Sequence, residues 1–159
     1  MSLQVRRVVT GHDDKGNAIV QIDEITKNVV SARPGAESSV IWTTSGWPID
    51  NSGNDDPSGQ KIGLTIDNGT VFRVLRLEPG NIPRVHRTDS IDYAVVMSGE
   101  IDMELDNGVS VHLKAGDTLV QRGTIHNWAN RGTEPCVIAF ILISAKPVTI
   151  AGKTLHAHG

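Results

Sequence analysis

Apolar and polar residues alternate in short runs along this chain, with a period of two rather than 3.6. Ile101-Asp102-Met103-Glu104-Leu105 and Val109-Ser110-Val111-His112-Leu113 both follow it. A period of two sends successive side chains to opposite faces of a strand, so both runs are predicted as β-strands. The same reading predicts strands over Val5–Val9, Ala18–Ile25, Ser39–Thr44, Leu64–Ile66, Val71–Leu77, Thr118–Gln121, Ile125–Asn130 and Cys136–Ile143. Asp67-Asn68-Gly69 and Asp106-Asn107-Gly108 fall between pairs of these runs. Asn-Gly suits a type I′ turn, whose two central residues need positive φ, so each predicts a hairpin. No stretch carries an apolar stripe at helical spacing over three turns. Pro48–Gln60 is dense in Asn, Asp, Ser, Gly and Pro and reads as a loop. Ala151–Gly159 reads as a frayed tail, His156 and His158 included.

Composition strengthens this picture. The chain holds 17 Val, 15 Ile and 12 Thr against 9 Leu and 10 Ala, and β-branched side chains favour strands over helices. Sixteen Gly and seven Pro among 159 residues supply the turns of an all-β barrel or sandwich. A net charge of −3 gives no basic footprint for nucleic acid and no basic face for a membrane surface. No apolar run reaches the roughly 20 residues of a bilayer span. Met1–Thr10 carries Arg6 and Arg7 but no apolar stretch behind them, so a cytoplasmic location is expected rather than secretion. A single cysteine, Cys136, rules out an internal disulfide and a Cys-based zinc cluster. It is expected to be a small buried hydrophobe.

Candidate chemistry concentrates between Gly80 and Asn130. His86, Thr88 and Asp92 share parity, so an unbroken strand would turn all three to one face. His126 and Trp128 share a face on a later strand. Were the two faces to meet inside a barrel, two imidazoles and a carboxylate would converge, the facial arrangement that holds a divalent transition metal with open positions. Thr88, Trp128, Arg73 and Gln121 are the candidate substrate contacts. Tyr93 and Arg87 should point away from the histidine face, and His112 should be exposed.

The spacing of Gly80, His86, Thr88, Asp92 and Gly99, followed by Gly116, Gly123, His126 and Asn130, resembles the two motifs of the cupin superfamily. That resemblance implies an all-β double-stranded β-helix, the jelly-roll barrel. Its expected layout is an N-terminal β extension over residues 1–45, a polar loop over 46–62, the barrel over 63–148 and a C-terminal tail over 149–159. It also implies a homodimer, because such extensions often exchange strands between cupin subunits. Carried onto this chain, the motif offers His86, Asp92 and His126 as ligands for Fe, Mn, Ni or Zn, with no organic cofactor. Thr88 stands where a second histidine is usual, Asp92 where Glu is usual and Gln121 where Pro is usual. Two outcomes follow. One is a three-ligand metal site acting on a small carbonyl or carboxylate substrate, with His86, His126 and Asp92 as the catalytic groups. The other is a former metal site, in which His86 or His126 serves without metal as a general base in an isomerisation, dehydration or decarboxylation, or in which the barrel binds an organic ligand directly, as a sensor or carrier. Gly80, Gly99, Gly116 and Gly123 are expected at turns between strands.

Overall fold

A computed structural model describes residues 1–159. It contains thirteen strands: β1 (Arg6–His12), β2 (Ala18–Ile25), β3 (Val30–Arg33), β4 (Ala36–Ser45), β5 (Gly69–Leu77), β6 (Ser90–Ser98), β7 (Glu100–Glu104), β8 (Ser110–Lys114), β9 (Thr118–Arg122), β10 (Asn127–Ala129), β11 (Cys136–Ser144), β12 (Val148–Ile150) and β13 (Lys153–Leu155). Helical structure is limited to a single 3-10 turn at Pro57–Gly59. No helix is long and apolar enough to cross a membrane.

All pairings are antiparallel. Six strands form one sheet in the order β3-β4-β5-β11-β6-β9, and three form a smaller one in the order β10-β7-β8. The core lies between these two sheets. β11 buries Cys136, Ile138, Phe140 and Leu142 and leaves the residues between them half-buried. β6 buries Ala94 and Val96 and exposes Tyr93, Val95 and Met97. Ile101, Met103 and Leu113 close the core from the small sheet. Each such aliphatic side chain contributes about 1.5–3 kcal/mol of burial. Strict alternation in β6 and β11 also fixes the register, because a slip of one residue would turn the whole apolar set to solvent.

Of the two predicted hairpins, one forms. β7 and β8 pair across Asp106–Gly108, with Asn107 at φ 57° and Gly108 at φ 73°, the two positive angles a type I′ turn needs. The other is corrected. Asp67–Gly69 does turn, but only Asn68 takes positive φ, and Leu64–Ile66 forms no strand. The edges of β5 are already taken by β4 and β11, so Leu64–Ile66 has no partner edge and packs against the barrel as a loop.

Three further stretches differ from expectation. β3 and β4, read as part of an extension, belong to the main sheet, and β4 runs along the length of β5. Val148–Leu155 is not frayed: it forms the β12–β13 hairpin, and His158 makes a two-way backbone bridge to Arg87. Ile125–Asn130 is a strand only from Asn127, with His126 held by a single bridge. The four motif glycines all take positive φ, as expected. Gly99 is the most constrained of them, since a Cβ there would lie 2.4 Å from the Pro135 carbonyl oxygen.

The β1–β2 hairpin stands apart from both sheets and is tied down by Arg7. This guanidinium is 4% exposed and forms two parallel bonds to the Asp56 carboxylate, at 2.9 and 2.7 Å. It also bonds Glu24 at 2.6 Å and the Ile41 carbonyl at 3.2 Å. The hydrogen bonds from Arg7 hold the Asp56 carboxyl down at about 2. Replacing Arg7 by Met should leave Asp56 unpaired and loosen the hairpin by about 2 kcal/mol, less than for a fully buried pair because both acids are partly solvated. Amide hydrogen exchange that speeds up in β1 and β2 but not in β11 is the expected signature.

Candidate functional site

Two backbone hydrogen bonds build the centre of the site. The His86 amide donates to the His126 carbonyl at 3.0 Å, and the His126 amide donates to the His86 carbonyl at 2.9 Å. Directly opposed residues of an antiparallel pair project side chains on the same face. The rings therefore meet, with centroids 4.3 Å apart. Each ring reaches back two residues to a carbonyl: His86 Nδ1 donates to Arg84 and His126 Nδ1 to Thr124, both at 2.9 Å. A carbonyl can only accept, so both protons sit on Nδ1 and both Nε2 atoms carry a free lone pair. Neither Nε2 has a partner within the chain, and neither is among the sealed polar atoms.

Both rings border a cavity of about 380 Å³. Its apolar wall comes from Leu75 on β5, Phe140 and Leu142 on β11, Trp128 on β10 and Ile62 and Leu64 from the loop. Trp128 stands edge-on to His126 and to Phe140, at 6.0 and 5.3 Å. Its polar lining is Arg33, Ser38, Arg73, Arg84, Asp92 and the two histidines. A larger groove of about 700 Å³ runs between the β1–β2 hairpin and the polar loop. Its walls are polar, and its Asp56 is committed to Arg7.

Burial sets the charge states. His126 is 4% exposed, and loss of water pushes its pKa down to about 4, with the neighbouring His86 adding to the shift. His86 is lowered too, by burial first and then by the charges of Arg84 and Arg33. Asp92 is raised by burial, against the opposing pull of the Ser90 hydroxyl and of Arg73. Both imidazoles are thus neutral at pH 7. The folded state keeps His126 neutral down to about pH 4, whereas an unfolded histidine takes up its proton near 6.5. Stability should therefore fall as pH drops from 6.5 to 4, by about 3 kcal/mol. Urea unfolding at pH 7 and pH 4.5 checks this: His126→Gln should show a correspondingly smaller difference between the two conditions than the native chain.

Of the sequence candidates, His86, Asp92, His126, Trp128 and Arg73 share the cavity. Thr88 and Gln121 do not. Parity holds only along an unbroken strand, and β6 begins only at Ser90, so Thr88 precedes it. Its hydroxyl is hydrogen-bonded to that of Ser90 at 2.8 Å, donating to it because the single Ser90 proton goes to Asp92, and it borders a different cavity beside Arg87. Gln121 is opposite Asp92 in the sheet, but its amide donates to the Thr124 hydroxyl. Tyr93 and His112 are exposed, and Arg87 donates to the Gly123 carbonyl outside the histidine cavity. Cys136 is fully buried, and burial pushes its thiol up to about 11, which suits an inert core residue. Arg33 was missed. It lies before Pro34-Gly35 in a stretch with no motif, and only the return of β3 to the main sheet carries it to the cavity.

The expected metal triad does not assemble. No three His, Cys, Asp or Glu side chains are placed to hold a metal ion together. The paired imidazoles have the carbonyl-anchored geometry seen in metal-binding histidines. The Asp92 carboxylate instead accepts the Ser90 hydroxyl at 2.6 Å and does not complete a donor set with them. The residues present do not fit a His86/Asp92/His126 metal centre.

A two-sheet jelly-roll barrel with a histidine-lined cavity defines the class of this protein, and the comparisons then place it. Residues 73–143 match the family model described as Cupin domain. A phomopsin biosynthesis cluster protein C' of Diaporthe leptostromiformis is 37% identical over 94% of this chain and 83% of its own length. A cupin-domain-containing oxidoreductase of Aspergillus ruber is 32% identical over 98% of this chain and 80% of its own. The chain belongs to the cupin family. A double-stranded β-helix protein of Klebsiella pneumoniae shares the fold, with a TM-score of 0.53 over 75% of this chain and 85% of that one at 23% identity.

Proposed function

We propose that this protein is an enzyme acting on a small organic carbonyl compound by proton transfer through the His86/His126 pair. The observation that carries the proposal is the pair itself: two neutral imidazoles, each pinned at Nδ1 by a backbone carbonyl, each with Nε2 free beside an apolar cavity. A fixed tautomer next to a cavity wall is what a general base requires. A pKa near 4 makes His126 a weak base by itself. Negative charge that develops on the substrate favours the imidazolium and draws that pKa upward. Relatives named as biosynthesis cluster proteins and as oxidoreductases accord with an enzyme. Divalent-metal assistance by Fe, Mn, Ni or Zn has no complete donor set here.

The missing third donor is also the observation that favours the second reading, a metal-free barrel that binds its ligand without changing it. Proton exchange separates the two. Phenylpyruvate, an enolisable oxo acid, is incubated with the protein in heavy water, and loss of the C–H signal beside the carbonyl is followed by proton NMR. Exchange above the buffer rate that vanishes in His126→Gln supports the enzyme. Binding of phenylpyruvate with exchange at the buffer rate supports the carrier.

A further inference from the structure

Three guanidinium groups border the histidine cavity, those of Arg33, Arg73 and Arg84, and Asp92 is the only acid among them. None of the three forms an ion pair closer than 4.0 Å. Arg73 donates through Nη2 to the carbonyls of Gly63 and Leu64, at 2.8 and 3.3 Å, and its Nε is sealed without a partner. Arg33 makes no side-chain hydrogen bond at all, and its Nη1 is also sealed. Their charges act on one another: Arg84 opposes both Arg33 and Arg73. Arg84 is exposed and reaches the Gly159 carbonyl, but Arg33 and Arg73 are partly buried cations with no anionic partner in contact, and a buried charge is ordinarily paired. The partner is therefore to be sought in what enters the cavity.

We propose that the cavity takes a carboxylate-bearing, otherwise apolar small molecule, with Arg33 and Arg73 as its anion-binding residues. The planar fork of a guanidinium matches a carboxylate, which can bridge two of them. Leu75, Trp128, Phe140 and Leu142 supply the surface for the remaining hydrocarbon. About 380 Å³ lies within the size range of small-molecule sites. The anion also restores charge balance in a space where three cations face one acid. The inference deepens the reading above and rests on the same cavity being the substrate site, but it needs no proton transfer.

Calorimetric titration of the intact protein at pH 7 with benzoate and with its neutral isostere benzamide tests it. Benzoate has no enolisable C–H, so its binding reports the anion site even if exchange with phenylpyruvate fails. Benzoate should bind at least about tenfold tighter than benzamide, and Arg33→Gln should bring the two within about twofold. The melting temperature of Arg33→Gln should be equal to or above that of the native chain, because the arginine it removes has no partner to lose. His126→Gln should keep the preference for benzoate. Equal affinity for the two probes in the native protein would overturn the proposal, as would a preference for benzoate that survives both Arg33→Gln and Arg73→Gln. Displacement of benzoate by equimolar inorganic phosphate would overturn the assignment to a carboxylate.

Discussion

His126→Gln should lower the rate of phenylpyruvate exchange by about a hundredfold to ten-thousandfold, the range that a positioned base contributes. Glutamine keeps a polar side chain of similar reach but has no titratable lone pair. His126 is chosen over His86 because it is the more enclosed ring, 4% exposed and set between His86 and Trp128. The loss should fall on kcat with KM nearly unchanged, since the groups assigned to the carboxylate are Arg33 and Arg73. His86→Gln should act differently. The charge of His86 helps hold the His126 pKa down, so removing it raises that pKa. The acid limb of the kcat/KM profile should then move to higher pH. Steady-state exchange from pH 4 to pH 8, with the native chain and both variants checked for folding by thermal melting, measures all three effects. An unchanged rate in His126→Gln would remove His126 from the chemistry.

The sequence was most legible where local chemistry and tertiary structure agree. Asn107-Gly108 takes the two positive φ angles of a type I′ turn, and β7 and β8 each have an edge available to pair across it. Asp67-Asn68-Gly69 has the same composition and turns as well, but β5 has neither edge free, so topology overrode turn chemistry. The histidine pair was legible through motif spacing and parity. The third metal ligand was not, because parity gives the face of a residue but not its distance from another strand. Asp92 reaches the cavity and is engaged by Ser90, a competitor two residues away that parity cannot weigh. Arg33 was illegible for another reason. Nothing local marks it, and its place in the site depends on β3 joining β4 across a turn at Pro34-Gly35. The C-terminal hairpin likewise depends on a long-range bridge, from His158 to Arg87.

Asn130→Ala should destabilise the fold by about 3 kcal/mol and leave the cavity chemistry intact. Asn130 belongs to the second motif, but it does not border the histidine cavity. It is 2% exposed, and its side chain and backbone amide make four hydrogen bonds. Its Nδ2 donates to the carbonyls of Leu77 at 2.9 Å and Glu134 at 2.8 Å, and its Oδ1 accepts from the Gly132 amide at 3.0 Å. Its backbone amide donates to Asn81 Oδ1 at 2.8 Å, while Asn81 Nδ2 donates to the Trp128 carbonyl at 2.9 Å. These bonds tie the end of β5 to the turn between β10 and β11, where neither sheet can supply backbone partners. Alanine would strand the Leu77 carbonyl in a buried setting at about 1–3 kcal/mol, while water can replace part of the bonding to Glu134 and Gly132. For a chain of this length that corresponds to a fall in Tm of roughly 6–12 °C. Urea unfolding followed by tryptophan fluorescence gives the free energy. Exchange activity per folded molecule, measured at 15 °C where the variant stays native, separates support from chemistry. Full activity there would assign Asn130 to holding Trp128 and the β10 segment in place, and a loss matching that of His126→Gln would assign it to the reaction.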